Sequence, residues 1–289
     1  MISFAAGLIL ALGIGIPGPP QVASKFPLAA FVGKDFKALT RDELEPMRRF
    51  LVSKRIGSDS DPRLDVANRL GGRYDPWALW DWGGDGSKFV LAIAQYGKVI
   101  PSQSRGGVFI FDSAGNVVGS STFGVGWRTF PTSIETQEVA GVGKVIHFSS
   151  RPVINGREDV AGFFVGMDGS RPALIRIADK KDRVVPNVYF ASNHQLGPAF
   201  DTADVIDKLK SDSPIRVLEA LNWFAGMHAL PDPQGWMSSG EKISDAVRYR
   251  TLAGLPETFA LIFSLTHSAN PWIRDAARLA LEHRGWPYR

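Results

Sequence analysis

A chain of 289 residues that is 44% hydrophobic and 21% charged holds enough apolar material for one or two globular cores, which excludes a disordered polymer. Its net charge of +4 arises from 33 Lys plus Arg set against 29 Asp plus Glu in the same segments, a mixture without the one-sided basic stripe of a nucleic-acid surface. The absence of cysteine excludes disulfides, thiolate nucleophiles and cysteine-ligated zinc or iron–sulfur centres.

The first 24 residues carry no charged side chain, and Ile2 to Ile16 form an apolar run with Ser3 as its only polar member. That run has the length of a signal-peptide core and is short for a membrane span. Pro17-Gly18-Pro19-Pro20 ends it, and Val22-Ala23-Ser24 supplies the small or permitted residues that a signal peptidase reads. Residues 1–24 are therefore expected to be a leader and the mature chain to be exported to a periplasmic or extracellular space. No later apolar run reaches span length, so no membrane span is expected after it.

Residues 25–87 read as a mixed N-terminal segment with one helix near Pro46 to Lys54. Proline suits a first helical position, so Thr40-Arg41-Asp42-Glu43 is expected to be a separate capped turn. Arg48, Arg49, Lys54 and Arg55 follow Asp42, Glu43 and Glu45 closely, which marks a solvated helix face in preference to a phosphate site. From Lys88 the period changes to two. KFVLAIAQY, GVFIFD, NVVGSSTF, SIETQEV, KVIHFSS, DVAGFFVGM, ALIRIAD and RVVPNVYF alternate apolar and polar residues. Turn residues such as Asp112-Ser-Ala-Gly-Asn116 and Met167-Asp-Gly-Ser170 separate them. Residues 88–200 are thus expected to be an antiparallel β-sandwich or barrel.

Residues 201–289 are expected to be helical. Asp201 to Lys210, Pro214 to His228, Glu241 to Leu252, Pro256 to His267 and Pro271 to His283 carry apolar residues at helical spacing, several of them opened by proline. The whole chain reads as α+β. Ile273-Arg-Asp-Ala-Ala-Arg-Leu-Ala-Leu281 resembles the second helix of a HEAT-like repeat, and Ile215-Arg-Val-Leu-Glu-Ala-Leu221 echoes it. The resemblance covers about 212–284, with a separation longer than the roughly 40 to 47 residues usual for such repeats. The loop Pro231 to Gly240 accounts for the excess. What the resemblance implies is a helical surface that contacts a protein.

The motif search is mostly negative. Gly13-Ile-Gly-Ile-Pro-Gly18 matches the dinucleotide fingerprint by letter, but it lies at the end of the leader with proline where a helix should run. Ser239-Gly-Glu-Lys242 lacks the Lys-Thr-Gly companion of penicillin-recognising enzymes. The five histidines, at 147, 194, 228, 267 and 283, have no spacing that directs two onto one metal. His194, in a polar loop, is the one placed for ligand contact. Gly126-Trp-Arg-Thr129 reads as sandwich edge before it reads as a carboxylate clamp.

The segment DPWALWDWGGDG, Asp75 to Gly86, packs three tryptophans and three aspartates into twelve residues. An EF-hand loop is excluded, since its twelfth place, Ala92, is not the glutamate required. Two readings stay open. Trp80, Asp81, Trp82 and Asp85 form a sugar or cation platform, or the indoles of Trp77 and Trp80, on one helical-turn face, plug a junction. The packing reading is preferred. With no catalytic residue, cofactor or metal ligand set assigned, the function expected is that of an exported, non-enzymatic interaction or scaffold protein. Its unidentified protein partner would meet helical residues such as Arg274 and Arg278. The alternative is a carbohydrate- or cation-binding module on Trp80, Asp81, Trp82, Asp85 and His194.

Overall fold

The computed structural model describes residues 26–54, 56, 73–96, 105–124, 129–152, 160–186, 202–228 and 252–282. The leader, His194, the Pro231 to Gly240 loop, the helix expected from Glu241 and the Trp127-Arg128 pair fall outside these residues. Thr40 decides where the first helix begins. Its hydroxyl accepts from the Glu43 amide at 3.4 Å, and the Glu43 carboxylate accepts from the Thr40 amide at 2.8 Å. This capping box starts one continuous helix, α1, Arg41–Ser53. The expected break at Pro46 does not occur: proline sits inside α1, where it removes one backbone bond without ending the helix.

Eight strands follow: β1 Arg73–Asp81, β2 Lys88–Tyr96, β3 Arg105–Asp112, β4 Val117–Gly124, β5 Thr129–Val139, β6 Gly143–Pro152, β7 Val160–Asp168 and β8 Arg171–Asp179. They make two antiparallel four-stranded meanders, β1-β2-β3-β4 and β5-β6-β7-β8. The sheets stay separate, each with its own edges, so the architecture is a sandwich and not the closed barrel that the alternation equally allowed. Two further corrections concern boundaries. The first sheet begins at Arg73 inside the supposed mixed segment, and of the run RVVPNVYF the described part forms only an isolated bridge, Val184 to Ala178.

Five α-helices complete the described chain: α1, then α2 Thr202–Leu209, α3 Pro214–His228, α4 Pro256–Leu265 and α5 Pro271–Leu281. Val90, Ala92, Val108 and Ile110 of the first sheet meet Ile146, Phe148, Phe163 and Val165 of the second. The first sheet turns Leu79, Phe89, Leu91 and Phe109 outward onto Met47, Phe50 and Leu51. The second sheet turns Val145, Phe164, Ala173 and Ile175 onto Leu218, Leu221, Phe224 and Ala277. The order of layers is helix, sheet, sheet, helices. Each large side chain withdrawn from water in these layers contributes about 1.5–3 kcal/mol, and the helical segment is thereby docked on the sandwich through an apolar face. Residues 215–221 and 273–281, which carry the HEAT-like resemblance, lie on α3 and α5, two helices in mutual contact. No helix among the described residues is long and apolar enough to cross a membrane.

Candidate functional site

The tryptophan-rich segment is strand, not helical turn. Pro76 pairs with Ile93 and Ala78 with Ala92, so Trp77 is the extra residue of a β-bulge. A bulge puts neighbouring residues on one face, and Trp77, Trp80 and Trp82 all pack, half-buried, against the apolar layer between the sheets. Lysines cover two of the rings. Lys37 Nζ lies 3.8 Å from the centre of the Trp77 ring and donates to the Thr132 carbonyl at 3.3 Å. Lys144 Nζ lies 4.7 Å from the centre of the Trp82 ring. A sugar stacking there must displace an ammonium held by the ring quadrupole.

The acidic residues of the segment serve its turn. The Asp81 carboxylate accepts from the Gly84 and Gly86 amides at 2.9 and 2.8 Å, and Asp85 accepts from the Ser87 amide at 3.0 Å. The bonds from Ser87 hold the exposed Asp85 carboxyl below the usual carboxylate range. Trp80, Asp81, Trp82 and Asp85 are therefore brought together at the β1–β2 hairpin, each with a contact inside it or with the sheet below. Among the described residues no group of three His, Asp or Glu is placed to hold a metal ion.

A polar row that sequence reasoning did not single out crosses the helix-facing side of the second sheet. Glu135 on β5 pairs with His147 on β6, His147 with Phe164 on β7, and Phe164 with Arg176 on β8. The imidazole stacks on the Phe164 ring at 4.3 Å, with Nδ1 3.7 Å from a Glu135 oxygen. Trp272 of α5 closes the row, edge-on to Phe164 and under the Arg176 guanidinium at 4.8 Å. Arg176 is buried, bonds the Asp182 carbonyl and leaves its Nε without a partner. Only strand register reveals such a row, because its members are scattered from 135 to 176.

Burial pushes the His147 imidazole below its ordinary value, against the opposing pull of Glu135 and Asp182. Between about 6.5, the unfolded value, and the lower folded one, the unfolded chain binds more protons. Stability therefore falls as pH falls through that window. His147→Gln is expected to flatten the dependence of the urea midpoint between about pH 6.5 and pH 5. Parallel curves for parent and variant would remove His147 from the account.

The second unpredicted group is ionic. The Arg171 guanidinium grips the Glu219 carboxylate with two bonds, one of 2.6 Å, and the bonds to that carboxylate hold the guanidinium even further above its ordinary range. Lys208 on α2 lies 3.3 Å from Glu219 and 2.9 Å from Asp204, while Asp168 approaches Arg171 at 3.3 Å and Arg216 at 3.7 Å. Three cations face three carboxylates where the β7–β8 turn meets α2 and α3. Glu219 and Lys208 are only 5% exposed, while Arg171, Asp168, Arg216 and Asp204 reach water, so the group is a charge-balanced weld with a buried centre and a wet rim.

Arg274 and Arg278 lie on α5. Arg274 Nε stands 3.9 Å from Asp275, and the exposed Arg278 lines a cleft of about 570 Å³ with Asp182, Pro186, Asp275 and Glu282. α4 beside them turns Ile262, Phe259, Leu261 and Leu265 to the core, and its outer side exposes Pro256, Glu257, Ala260, Phe263, Ser264 and, just past its end, His267. Phe263, 52% exposed, stacks on Phe259 and meets the His267 ring edge-on. No protein-family model matches this chain, and no curated protein or solved structure matches it either.

Proposed function

We propose that the chain is an exported, non-enzymatic interaction protein whose sandwich displays the C-terminal helical layer to a protein partner. The observation that carries this reading is α4. α4 turns Ile262, Phe259, Leu261 and Leu265 to the core but leaves Phe263 52% exposed beside Ala260 on its outer side, the kind of aromatic anchor that protein interfaces use. The one charge on that side, Glu257, is paired with Lys210. Both faces of both sheets are already covered, so a large partner must meet an outer helical layer. The HEAT-like resemblance of 212–284 agrees with this role, and Arg274 and Arg278 on the adjoining α5 would rim the contact.

The test is photo-crosslinking from position 263 in the native host, with position 52 as control, since Val52 is 60% exposed on the opposite layer. A discrete adduct is expected from 263 alone. Phe263→Asp is expected to weaken the isolated complex by a hundredfold or so, as hot-spot aromatics do, and Arg278→Glu by about tenfold. The thermal midpoint should not move for Arg278→Glu, whose side chain is exposed, and should fall only slightly for Phe263→Asp, which gives up the contacts with Phe259 and His267. Identical adducts from both positions, or none, would overturn the reading. A second reading, a carbohydrate- or cation-binding module on Trp80, Asp81, Trp82 and Asp85, draws on the three indoles that the bulge gathers on one face. A ligand-induced rise of the thermal midpoint of the full chain would favour it.

A further inference from the structure

The opposite outer layer carries a groove that the α4 reading does not use. It runs along α1, has a volume of about 670 Å³, and is bounded on its other side by Phe26 and the β3–β4 turn at Ala114 and Asn116. The helix contributes positions 42, 45, 46, 49, 50, 53 and 54, a stripe at the three-and-four spacing of a single helical face. From 42 to 54 the stripe is about 18 Å long at 1.5 Å per residue. That is the length of five or six extended residues at about 3.3 Å each.

The chemistry of the groove changes along its length. Asp42 and Glu45 stand at its start and Arg49 and Lys54 towards its end. Between them the half-buried Phe26 lies stacked at 4.4 Å on Phe50, which is buried and carries Lys54 Nζ 5.7 Å from its ring centre, so Phe26 is the aromatic side chain open to the groove. Asp42 and Lys54 make no ion pair among the described residues. Glu45 and Arg49 pair at 3.0 Å but are 43% and 80% exposed, so little holds them to one another.

We propose that this groove binds a short extended peptide segment of a partner, basic at one end, aromatic or apolar in the middle and acidic at the other. The basic end meets Asp42 and Glu45, the central side chain lies against the half-buried Phe26, and the acidic end meets Arg49 and Lys54. A uniformly charged ligand would meet a like-charged end of the groove, and a wholly apolar one would strand four charges, so the graded peptide is the occupant that complements every part. The site stands whether or not α4 is a docking face.

Fluorescence anisotropy on the full chain tests it. The probes are two labelled pentapeptides with alanine at positions two and four and phenylalanine at three. One has lysine first and glutamate last, and the other has them reversed. A third, with lysine at both ends, is the control. One of the two graded peptides is expected to bind at least tenfold tighter than the control. Arg49→Glu with Lys54→Glu is expected to weaken it about tenfold or more, whereas Phe263→Asp leaves it unchanged, which separates this site from the α4 reading. Both substituted positions line an open groove, and unchanged unfolding curves confirm that the variant is folded. Equal binding of all three peptides, no binding, or indifference to the two reversals overturns the proposal. Concentration-dependent self-association abolished by the same reversals would assign the groove to a second copy of the chain and overturn it equally.

Discussion

Gly119→Ala is expected to be among the most damaging single-methyl changes in this protein. Gly119 on β4 pairs with Ile110 on β3, and a β-carbon added there would stand 1.6 Å from the backbone oxygen of Ser170 and 2.8 Å from its carbonyl carbon. A side chain in the way rotates aside. A backbone carbonyl does so only if the β7–β8 turn moves. That turn is tied down by Ser121 Oγ donating to the Pro172 carbonyl at 3.0 Å and by Lys88 Nζ donating to the Gly169 carbonyl at 3.2 Å. It also carries Asp168 and Arg171 into the ionic group at α3. Overpacking of this kind costs about 3 kcal/mol, equivalent to a thermal midpoint lower by roughly 6 °C in a chain of this size. Gly83→Ala is the control. Its added carbon would meet only the exposed carboxylate of Asp85, at 3.1 Å, and a shift of less than about 0.5 kcal/mol is expected. Equal midpoints for the two variants in a calorimetric scan would mean that β4 and the turn are not in the contact described.

Much of the sandwich was legible because short apolar runs bounded by turn residues read as strands. β2 and β8, with one face on the inter-sheet layer and the other on a helix, are near-continuous apolar runs, and β5, more exposed, alternates. KFVLAIAQY, SIETQEV and ALIRIAD fall within β2, β5 and β8. β1 was not legible, for two local reasons. Pro76 argues against a strand, though an edge strand tolerates it, and the bulge at Trp77 shifts the period so that Trp77 and Trp80, of opposite parity, share a face. Pro46 misled in the other direction. The rule that puts proline in the first turn competes with the capping box at Thr40 and Glu43, and here the box decides where the helix starts while proline is tolerated within it.

The candidate surfaces were legible in part. The apolar residues of α4 and the positions of Arg274 and Arg278 can be read from helical spacing, but which side of α4 is covered depends on how α2 and α5 pack beside it. The carboxylates of the tryptophan-rich segment suggested a ligand. Their use as acceptors for the amides of Gly84, Gly86 and Ser87 is a property of the turn's backbone path, which composition does not carry. The ionic group was invisible for a further reason. Arg171 and Glu219 are 48 positions apart, with no motif linking them, and Glu219 lies on a helix whose residues from Val217 to Gly226 are all buried. A lone glutamate in an apolar helix signals a buried partner, but not which one.

Glu219→Gln measures what that partner is worth. The substitution keeps the shape and removes one charge from six. Arg171 is left with Asp168 at 3.3 Å, and Lys208, 5% exposed, is left with Asp204 at 2.9 Å, so two positive charges share a site that has lost its central anion. Breaking one partner out of a buried ion pair costs about 3–5 kcal/mol where the remaining charge is left bare. Here Asp168 and Asp204 compensate in part and Arg171 is 29% exposed, which places the loss near the lower end, at about 3 kcal/mol. A loss of that size in urea unfolding is expected. Glu45→Gln, which deletes the exposed pair with Arg49, should cost under about 1 kcal/mol. Lys208→Met in the Glu219→Gln background should cost much less than the sum of the two single changes, since each removes the charge that strands the other. High salt discriminates further. It screens the exposed pair within a few ångströms of water but reaches the buried group poorly, so the Glu219→Gln loss should persist at about 1 M salt while the Glu45→Gln loss vanishes. If both losses vanish together, the group is wetter than its burial implies, and the docking of α2 and α3 rests on the apolar layer alone.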